Sequence, residues 1–481
     1  MFEKQEVVMK KIIYTLFVCM PLMFLLNVCQ ENPGTVSGPD QDYLARIGVS
    51  GTGINIVLNQ PVSDQILSVL STFGEILNIF PEINAVRIDA DAGQLPAIIG
   101  LPFVYRANGD MERHGRPVNI IDVSDFSKGL STWNLDAVNV CEFGEDNRVV
   151  VPDGSGVYMG ILDTGLLNTW REYFPADRIA AEYAKCYSGG AGEKVQGGEQ
   201  PNKWEHDTDA HGTHVTSTVI GYSYNGTSIN GVAPGVTVIP VKVLNQTGMG
   251  WSSVIAKGIL YIASLKETGG PLQDFPVVIN MSLGGPVLDA VEQAAIDYAI
   301  SKGVIIVASA GNLGEAGMGY PGGYEPVISV AAAGWVKEWT PDGDRTWWRE
   351  LDVAESYDCN DYYITDFSSR ELAGQDLDVC APGSWVVGPY QIQMGVLSYY
   401  YLGGTSQASP HVAGLVALMA QQYPDLTAAQ AEAILESTAM PLPAGCRTIL
   451  NPDGSTLEQC WEANATGAGL INAQKALASL P

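Results

Sequence analysis

The sequence predicts an α/β protein in which a large domain with a mostly parallel sheet follows a small α+β domain. From Val149 onward, short and fully apolar runs alternate with helical patterns, which is typical of a parallel sheet covered on both faces. Between Asn55 and Arg106 the order of runs is instead β-α-β-β-α-β. The chain has 481 residues and 46% apolar content, enough for a large core and an accessory domain.

The small domain is predicted element by element from its apolar runs. Its elements, in order, are strand Ile54–Leu58, helix Val62–Phe73, strands Ile76–Ile79 and Ala85–Ile88, helix Gly93–Ile99 and strand Phe103–Arg106. Residues 107–130 follow; they are charged and irregular, a composition typical of an exposed linker.

The large domain continues the alternation of strands and helices. Its apolar runs, in order, are Val157–Leu162, His214–Ile220, Val236–Val243, Trp251–Leu265, Val277–Met281, Leu288–Ser301, Val304–Ala308, Val327–Ala332 and His411–Gln422. Residues 335–363 interrupt the pattern with Trp, Asp and Tyr and are predicted to form a surface insertion.

The N-terminus has the pattern of an export signal. Lys10-Lys11 precedes an apolar run from Ile12 to Val28, slightly short for a spanning helix and without a second candidate downstream. We therefore expect a signal over residues 1–29, with Met9 as an alternative start, and a flexible lead over 30–49. Leu26 to Cys29 loosely resembles a lipoprotein cleavage box, so lipid attachment at Cys29 is the alternative that would bring the protein to a membrane.

Charge and cysteine content restrict the partners and the compartment. A formal net charge of −28 argues against nucleic acid, because phosphate binding needs Lys and Arg. The acidity is explained by solubility or by adaptation to salt or acidic surroundings. Beyond the signal, six cysteines allow 15 connectivities, and an oxidising compartment permits disulfides. The preferred pairs are Cys446–Cys460 across a turn-rich segment, then Cys359–Cys380 and Cys141–Cys186 by proximity, with free buried thiols as the alternative.

Two polar clusters follow apolar runs of the large domain. Asp163 ends a strand at the edge where open α/β sheets place their sites, although a turn or helix-capping role would explain it too. Three of the five histidines lie between His206 and His214. They suggest a general base at a helix start, a metal site with Asp207 or Asp209, or a structural cluster. The HExxH pattern of zinc proteases is absent.

A third cluster surrounds Ser406. Gly403 and Gly404 leave space around its hydroxyl. Pro410 indicates the start of a helix, because a helix tolerates proline in its first turn. A hydroxyl here often only caps the helix. A nucleophile would also profit, because the free N–H groups and the dipole of a helix start stabilise a developing oxyanion.

Together these clusters give an acid, a histidine and a serine in that chain order, and here the sequence resembles the subtilisin-like serine proteases. The matching motifs are Asp163-Thr164-Gly165, His211 to Val215, Val232-Ala233-Pro234, Asn280 to Gly284, Ala310-Gly311-Asn312, Ala381-Pro382-Gly383, Gly404 to Gly414 and Gly467 to Asn472. The resemblance implies a three-layer subtilisin-like fold over 131–481. It also implies a ferredoxin-like inhibitor propeptide over 50–112 and a linker with the processing site over 113–130.

The resemblance also implies roles for individual residues. Ser406 would be the nucleophile, His211 its base and Asp163 the group that orients the histidine. Asn312 and the Ser406 N–H would stabilise the oxyanion, although Asn312 alone is equally compatible with a turn. The family often has Met where this chain has Gln407, so we expect resistance to peroxide.

The substrate would lie extended between two backbone edges. The resemblance assigns these edges to Gly248-Met249-Gly250 and Ser282-Leu283-Gly284. Small primary-pocket walls at residues 308–310, including Ala310, and at Gly319 favour large hydrophobic P1 residues. Trp251 and Ile255 would form a second apolar pocket. Core packing is the alternative for both pockets.

No cofactor is needed for such chemistry, and the expected partners are protein or peptide substrates and the chain's own propeptide. A structural calcium ion is compatible with an exported member, but Asn168 to Glu172 replaces the family's usual ligand run, so no ligands are assigned. Two other hypotheses remain open at this point. One is a silent binding protein that retains the fold, and the other is a metal-dependent hydrolase built on the histidine cluster.

Overall fold

The computed structural model describes residues 53–123, 133–141, 148–187, 203–224, 226–339, 358–393 and 396–481. The predicted export signal, the flexible lead and residues 124–130 of the predicted linker lie outside these ranges. Within them, no helix combines the length and the apolar character that crossing a membrane requires.

The small domain has the predicted β-α-β-β-α-β order. Its elements are β1 (Gly53–Leu58), α1 (Asp64–Leu70), β2 (Glu75–Phe80), β3 (Ala85–Asp89), α2 (Leu95–Ile99) and β4 (Val104–Gly109). The four strands form an antiparallel sheet in the order β2-β3-β1-β4. Helix α1 begins after Ser63, whose hydroxyl accepts the N–H of Ile66 and so caps the first turn.

The rest of the chain adds seventeen strands and seven α-helices within the described ranges. The strands are β5 (Glu112–His114), β6 (Asn119–Val123), β7 (Tyr158–Asp163), β8 (Lys185–Cys186), β9 (Tyr222–Tyr224), β10 (Thr227–Ile229), β11 (Thr237–Lys242), β12 (Met249–Trp251), β13 (Val277–Met281), β14 (Val304–Ser309), β15 (Ile328–Trp335), β16 (Tyr362–Ile364), β17 (Val379–Pro382), β18 (Val386–Gln393), β19 (Val396–Gly403), β20 (Gly445–Leu450) and β21 (Thr456–Trp461). The helices are α3 (Trp133–Ala137), α4 (His211–Ile220), α5 (Ser252–Lys266), α6 (Ala290–Ser301), α7 (Thr405–Gln422), α8 (Ala428–Thr438) and α9 (Ala473–Ala478).

An eight-stranded sheet forms the middle layer of the large domain. Its order is β16-β15-β14-β13-β7-β11-β8, with β17 also paired to β15, and every pairing except β15–β16 is parallel. Successive side chains of its strands face opposite layers. Val278 and Val307 pack in one core with α4 and α7, whereas Ile279 and Ile306 pack in the other with α5 and α6. The predicted three-layer α/β arrangement is therefore confirmed.

The segment 335–363 differs from the predicted surface insertion at both of its described ends. Trp335 is buried at the end of β15 and stacks on Trp133, and Tyr362 is buried in β16 beside it. These aromatic residues extend the sheet and its core. Residues 340–357 lie outside the described ranges.

The Cys446–Cys460 disulfide is confirmed, and it joins directly opposed residues of β20 and β21. The Cys359–Cys380 prediction is wrong. Cys380 is opposite Ala331 of β15, whereas Cys359 precedes the pair that Tyr362 forms with Trp335. Four residues of strand already span about 13 Å, well beyond the roughly 7 Å that a disulfide bridges between Cα atoms.

The Cys141–Cys186 prediction is also wrong. Cys186 pairs with Lys242 at the C-terminal end of β11. The backbone of Cys141 pairs with that of Arg148 in an isolated antiparallel β-bridge. The Arg148 guanidinium donates to the carbonyl of Val232, in the loop before β11. The two cysteines therefore lie towards opposite ends of one strand, and their proximity in sequence was misleading.

Candidate active site

Three elements bring the predicted acid, base and nucleophile together. Asp163 is the last residue of β7, His211 the first of α4 and Ser406 the second of α7, and all three are buried. Parallel strands end at one edge of the sheet, and β7 brings Asp163 there. Helix α7 follows β19 of the separate antiparallel sheet, but the Gly404 N–H donates to the Gly383 carbonyl just past the end of the parallel strand β17, which holds the start of α7 at the same edge.

Asp163 and His211 form a buried pair. His211 Nδ1 lies 2.9 Å from Asp163 Oδ1 and 3.0 Å from Oδ2. Because a carboxylate only accepts hydrogen bonds, Nδ1 carries the proton and Nε2 has a free lone pair. Nε2 is buried, and no group among the described residues hydrogen-bonds to it. The imidazole is thus oriented as a base, with its basic nitrogen available.

The Ser406 hydroxyl points to a neighbouring carbonyl. Its Oγ donates to the Ser282 carbonyl at 3.2 Å, and the Ser282 hydroxyl donates to the Ser406 carbonyl at 2.8 Å. That carbonyl would normally accept the N–H four residues later, but the residue there is Pro410, which has none. Pro410 is thus the sixth residue of α7 rather than part of its first turn, and Ser282 satisfies the group that it leaves without a partner.

Asn312 is fixed by Thr405, a residue to which the sequence analysis gave no role. Its Oδ1 accepts the Thr405 N–H at 2.9 Å and the Thr405 hydroxyl at 2.8 Å. The amide therefore keeps Nδ2 as its free donor, and a Cβ placed on Gly404 would lie 3.7 Å from that nitrogen. The position of Thr405 beside Ser406 was the signal that could have revealed it.

Thr164 is a second positioning residue that was missed. Its hydroxyl donates to Asp207 at 2.8 Å and accepts the Gly212 N–H at 2.9 Å, so it joins the end of β7 to the start of α4. Asp207 also accepts the backbone N–H groups of Asp209 and Ala210. Asp207 therefore has a structural role in holding the loop before His211.

The histidine cluster is divided among different partners. His214 Nε2 contacts the Val386 carbonyl at 3.1 Å rather than a carboxylate, and burial lowers the pKa of His214 to about 3. Burial also lowers the pKa of His211, but the carboxylates of Asp163, Asp209 and Asp207 raise it more, so that it lies above the ordinary value of 6.5. One histidine thus stays neutral while the other can bind a proton reversibly. This arrangement favours the general base over the metal site.

The two predicted substrate edges face each other across a cleft that contains part of the chain itself. Strand β5 pairs antiparallel with β12, so that Met249 is opposite His114 and Gly250 is opposite Arg113. On the other side, His114 exchanges two backbone hydrogen bonds with Gly284, at 2.9 and 3.0 Å. Residues 112–123 were predicted as an exposed linker, but they form β5 and β6, and Arg113 is fully buried.

Some predicted substrate-contacting side chains lie in the core instead. Leu283, Ile255 and Ala310 are buried in hydrophobic clusters. Trp251 is partly buried and packs against the core around β11 and α5. A cavity of about 200 Å³ beside Ser406 is lined by Ser309, Gly311, Asn312, Gly319 and Gly284. Gly319 therefore lines the cavity, as the sequence predicted. Ala310 does not line it and is buried in a hydrophobic cluster instead.

The small domain is bound to the large one through a buried polar network. Asp110 accepts the Ser253 N–H at the start of α5 and pairs with Arg87 at 2.8 Å. Arg113 pairs with Glu292 of α6 at 2.5 Å, with both side chains fully buried. Removing either partner of such a pair would leave an uncompensated buried charge, so this contact is specific.

The comparison with known families agrees with this fold. The Peptidase_S8 model, described as the Subtilase family, matches residues 154–469. The chain belongs to the subtilase family, and it is a serine-type endopeptidase.

Individual proteins are similar to this chain in sequence or in structure. Subtilisin DY of Bacillus licheniformis is 36% identical over 290 residues, which are 60% of this chain and 84% of that protein. Thermitase of Thermoactinomyces vulgaris is 32% identical over 289 residues, 60% of this chain and 83% of its own. The crystal structure of fervidolysin, a keratinolytic enzyme of Fervidobacterium pennivorans, aligns with a TM-score of 0.62 and 22% identity. It covers 89% of this chain and 61% of fervidolysin, and it supports the fold alone.

Proposed function

We propose that this subtilase is an exported endopeptidase, made as an autoprocessing zymogen, that cleaves peptide bonds through an acyl-enzyme on Ser406. The observation that carries the proposal is the buried Asp163–His211 pair, whose Nε2 has no hydrogen-bond partner among the described residues, at the edge where α7 begins with Thr405 and Ser406. Serine at its ordinary pKa is a weak nucleophile, so the adjacent base is the feature that this chemistry needs.

The mechanism follows from these atoms. His211 Nε2 takes the hydroxyl proton as Ser406 Oγ attacks the peptide carbonyl, and Asp163 stabilises the imidazolium that forms. The oxyanion accepts hydrogen bonds from Asn312 Nδ2 and from the Ser406 N–H, which lies in the first turn of α7 and has no intrahelical partner. His211 then gives its proton to the leaving amine. Water, activated by the same nitrogen, hydrolyses the acyl-enzyme.

The substrate would bind as a third strand between residues 248–250 and 282–284. Support comes from β5, which makes these backbone contacts within the chain itself. The cavity beside Ser406 has the small walls Ser309, Gly311 and Gly319, which leave room for a large hydrophobic P1 side chain. Trp251 would contribute to a second apolar pocket.

Residues 50–112 would be the inhibitor propeptide, with the processing bond within 113–130. The buried contacts of Asp110 and Arg113 with the large domain support an inhibitory complex. The signal over residues 1–29 would export the chain, with anchoring at Cys29 as the alternative. The partners are then protein or peptide substrates and the propeptide; the net charge of −28 argues against nucleic acid.

A structural calcium ion would fit one group of carboxylates. Asp376, Asp378 and Glu432 place oxygen atoms within 4.8 Å of one another, and oxygen is the ligand that calcium prefers. Burial and the neighbouring acids raise the pKa of Asp378 to about 8 and that of Glu432 to about 7. A bound cation would offset the repulsion between these carboxylates. The segment Asn168–Glu172, which stands in place of the family's usual ligand run, fits less well, because Arg171 within it pairs with Glu205 at 3.0 Å.

A covalent serine reagent tests the function. A fluorophosphonate should label the processed enzyme at Ser406, as located by peptide mass spectrometry, and should stop casein hydrolysis. A chelator should leave labelling intact at temperatures where the fold persists, even if it lowers the unfolding midpoint. Loss of labelling by the chelator in folded protein would favour a catalytic metal, and a folded protein that never reacts would favour a silent binding protein.

The acid limb of the pH profile should depend on Asp209. Catalysis needs neutral His211, whose pKa the neighbouring carboxylates raise, so kcat/KM should fall below a pH that lies above 6.5. Burial raises the pKa of Asp209 to about 6, so its carboxyl group is ionised above that pH. Asp209→Asn removes one negative charge and should shift the acid limb to lower pH in a kcat/KM titration. Asp177→Asn, at an exposed carboxylate, is the control, and an equal shift in both variants would contradict this assignment.

Gln407 should make the enzyme resistant to peroxide. Its side chain is fully buried next to Ser406, and its amide atoms have no hydrogen-bond partner in the described part of the chain. Gln407→Met introduces an oxidisable sulfur and should make activity peroxide-sensitive, while removing an unpaired amide should stabilise the fold by about 1–3 kcal/mol. Both proteins share the 12 native methionines, so equal inactivation by peroxide would assign the damage to those residues instead.

A further inference from the structure

The chain's own residues 112–123, here called the crossing segment, pass the proposed catalytic groups in a fixed register. On the N-terminal side, His114 exchanges two hydrogen bonds with Gly284, and the Gly115 N–H donates to the Gly248 carbonyl at 2.9 Å. On the C-terminal side, the Val118 N–H donates to the Gly403 carbonyl at 2.6 Å. Only Arg116 and Pro117 lie between these anchors.

The peptide bond between Arg116 and Pro117 therefore lies at Ser406. A Cβ placed on Gly115 would be 2.8 Å from the Ser282 carbonyl oxygen and 3.4 Å from His211 Cε1. A Cβ placed on Gly404, two residues before Ser406, would be 3.7 Å from the Pro117 Cα. Arg116 also lines the cavity that Ser406 and Asn312 share. The bond is thus flanked by the base on one side and the oxyanion donor on the other.

We propose that the crossing segment is a substrate-like inhibitor that the enzyme does not cut at the bond presented to Ser406, and that Pro117 is the residue that protects it. This inference rests on the proposed function, because it assumes that Ser406 is the nucleophile. It adds that the processing cut falls at a different bond from Arg116–Pro117.

The chemistry of proline explains the protection. Cleavage requires His211 to deliver a proton to the leaving nitrogen as the C–N bond breaks and Ser406 Oγ keeps the acyl group. In Pro117 this nitrogen carries the ring Cδ in place of a hydrogen, and the ring fixes its φ near −65°. The ring therefore occupies space beside the nitrogen that the imidazole must approach.

The side chain of Arg116 adds a second obstacle. Its Nε donates to the Thr247 carbonyl, and its Cγ lies 2.9 Å from the Cβ position of Gly248. The guanidinium is thus held at the strand edge at 247–248, and Arg116 borders the cavity between Ser309 and Gly319 without filling it. Binding energy from the primary pocket, which would help to align a scissile bond, is not used.

Both ends of the crossing segment are also held. On one side β5 pairs with β12 and Arg113 is buried against Glu292, and on the other β6 makes five residue pairs with β19. If an acyl-enzyme did form, the amine would stay beside it at high effective concentration and re-form the peptide bond. Anchoring on both sides therefore favours the intact segment.

The test compares the full chain with Pro117→Ala and with the control Pro102→Ala, which changes an exposed proline of the small domain. N-terminal sequencing and intact mass should find a new terminus after Arg116 only in Pro117→Ala, with cleavage there at least about tenfold faster than in the other two proteins. Adding Ser406→Ala should remove this cut. A terminus after Arg116 in the unchanged chain, or none in Pro117→Ala while Ser406 is labelled by fluorophosphonate, would overturn the proposal.

Synthetic peptides keep the test independent of folding. The processed enzyme should be inhibited by a peptide of residues 110–123 without cutting it, and should hydrolyse the same peptide carrying Pro117→Ala after Arg116. Cleavage of both peptides at that bond, or of neither by an enzyme that hydrolyses casein, would contradict the role of Pro117. An enzyme that neither hydrolyses casein nor reacts with fluorophosphonate would instead refute the proposed function, and this inference with it.

Discussion

Ser406→Ala is expected to abolish peptide hydrolysis and to leave the purified chain unprocessed. The substitution removes the only oxygen at this position that can form an acyl bond, so kcat/KM on a chromogenic peptide should fall by about a thousandfold or more. The fold should survive, because the lost hydrogen bond to the Ser282 carbonyl contributes roughly 1 kcal/mol. Intact mass and a thermal unfolding curve measure processing and stability on the same sample.

Ser409→Ala is the matched control. It makes the same change in the same helix, at another fully buried serine, and removes the hydrogen bond of its hydroxyl to Asn280 Oδ1 at 2.7 Å. Its cost in stability should therefore be similar or larger, while activity and processing continue. Normal self-processing of pure Ser406→Ala, or peptide hydrolysis by Ser406→Ala as fast as by Ser409→Ala, would show that Ser406 is not the nucleophile.

The parts of the site that the sequence predicted are those that local structure determines. Asp163 ends an apolar strand, His211 follows a polar loop, and Ser406 lies where glycines give way to a helical pattern. Each position is fixed by where one element begins or ends. The parallel sheet brings the end of β7 to one edge, and the hydrogen bond of Gly404 to Gly383 after β17 holds the start of α7 there. The three-layer architecture was predictable for the same reason, since fully apolar strands must be covered on both faces.

The parts that were missed depend on pairing between distant segments. Strand β6 pairs with β19, far along the chain, and β5 is a short polar strand without apolar alternation, so neither has a local signature. The sequence predicts Arg113 as part of an exposed linker, because its partner Glu292 lies in α6, far along the chain. Cysteine pairing failed similarly, except for Cys446–Cys460, where a hairpin makes neighbours in sequence neighbours in space.

Asn312→Ala should lower kcat by about 10²–10³-fold, the range that loss of one oxyanion donor causes in serine proteases of this kind, with little change in KM. The proposed reason is that Asn312 Nδ2 would donate to charge that develops only in the transition state. Alanine, however, also removes the acceptor that holds the Thr405 N–H and hydroxyl, so a fall in kcat alone would not separate the donor from a structural role.

Asn312→Asp makes that separation, because one carboxylate oxygen can keep both hydrogen bonds to Thr405 while the other replaces the Nδ2 donor with a negative charge. If Nδ2 stabilises the oxyanion, kcat should fall at least as far as in Asn312→Ala, since a carboxylate repels the developing charge, while the unfolding midpoint stays closer to that of the unchanged chain. If Asn312 only holds the start of α7, Asn312→Asp should retain most of its activity. Steady-state kinetics at a pH where the introduced carboxylate is ionised, with a melting curve for each variant, distinguish the two roles.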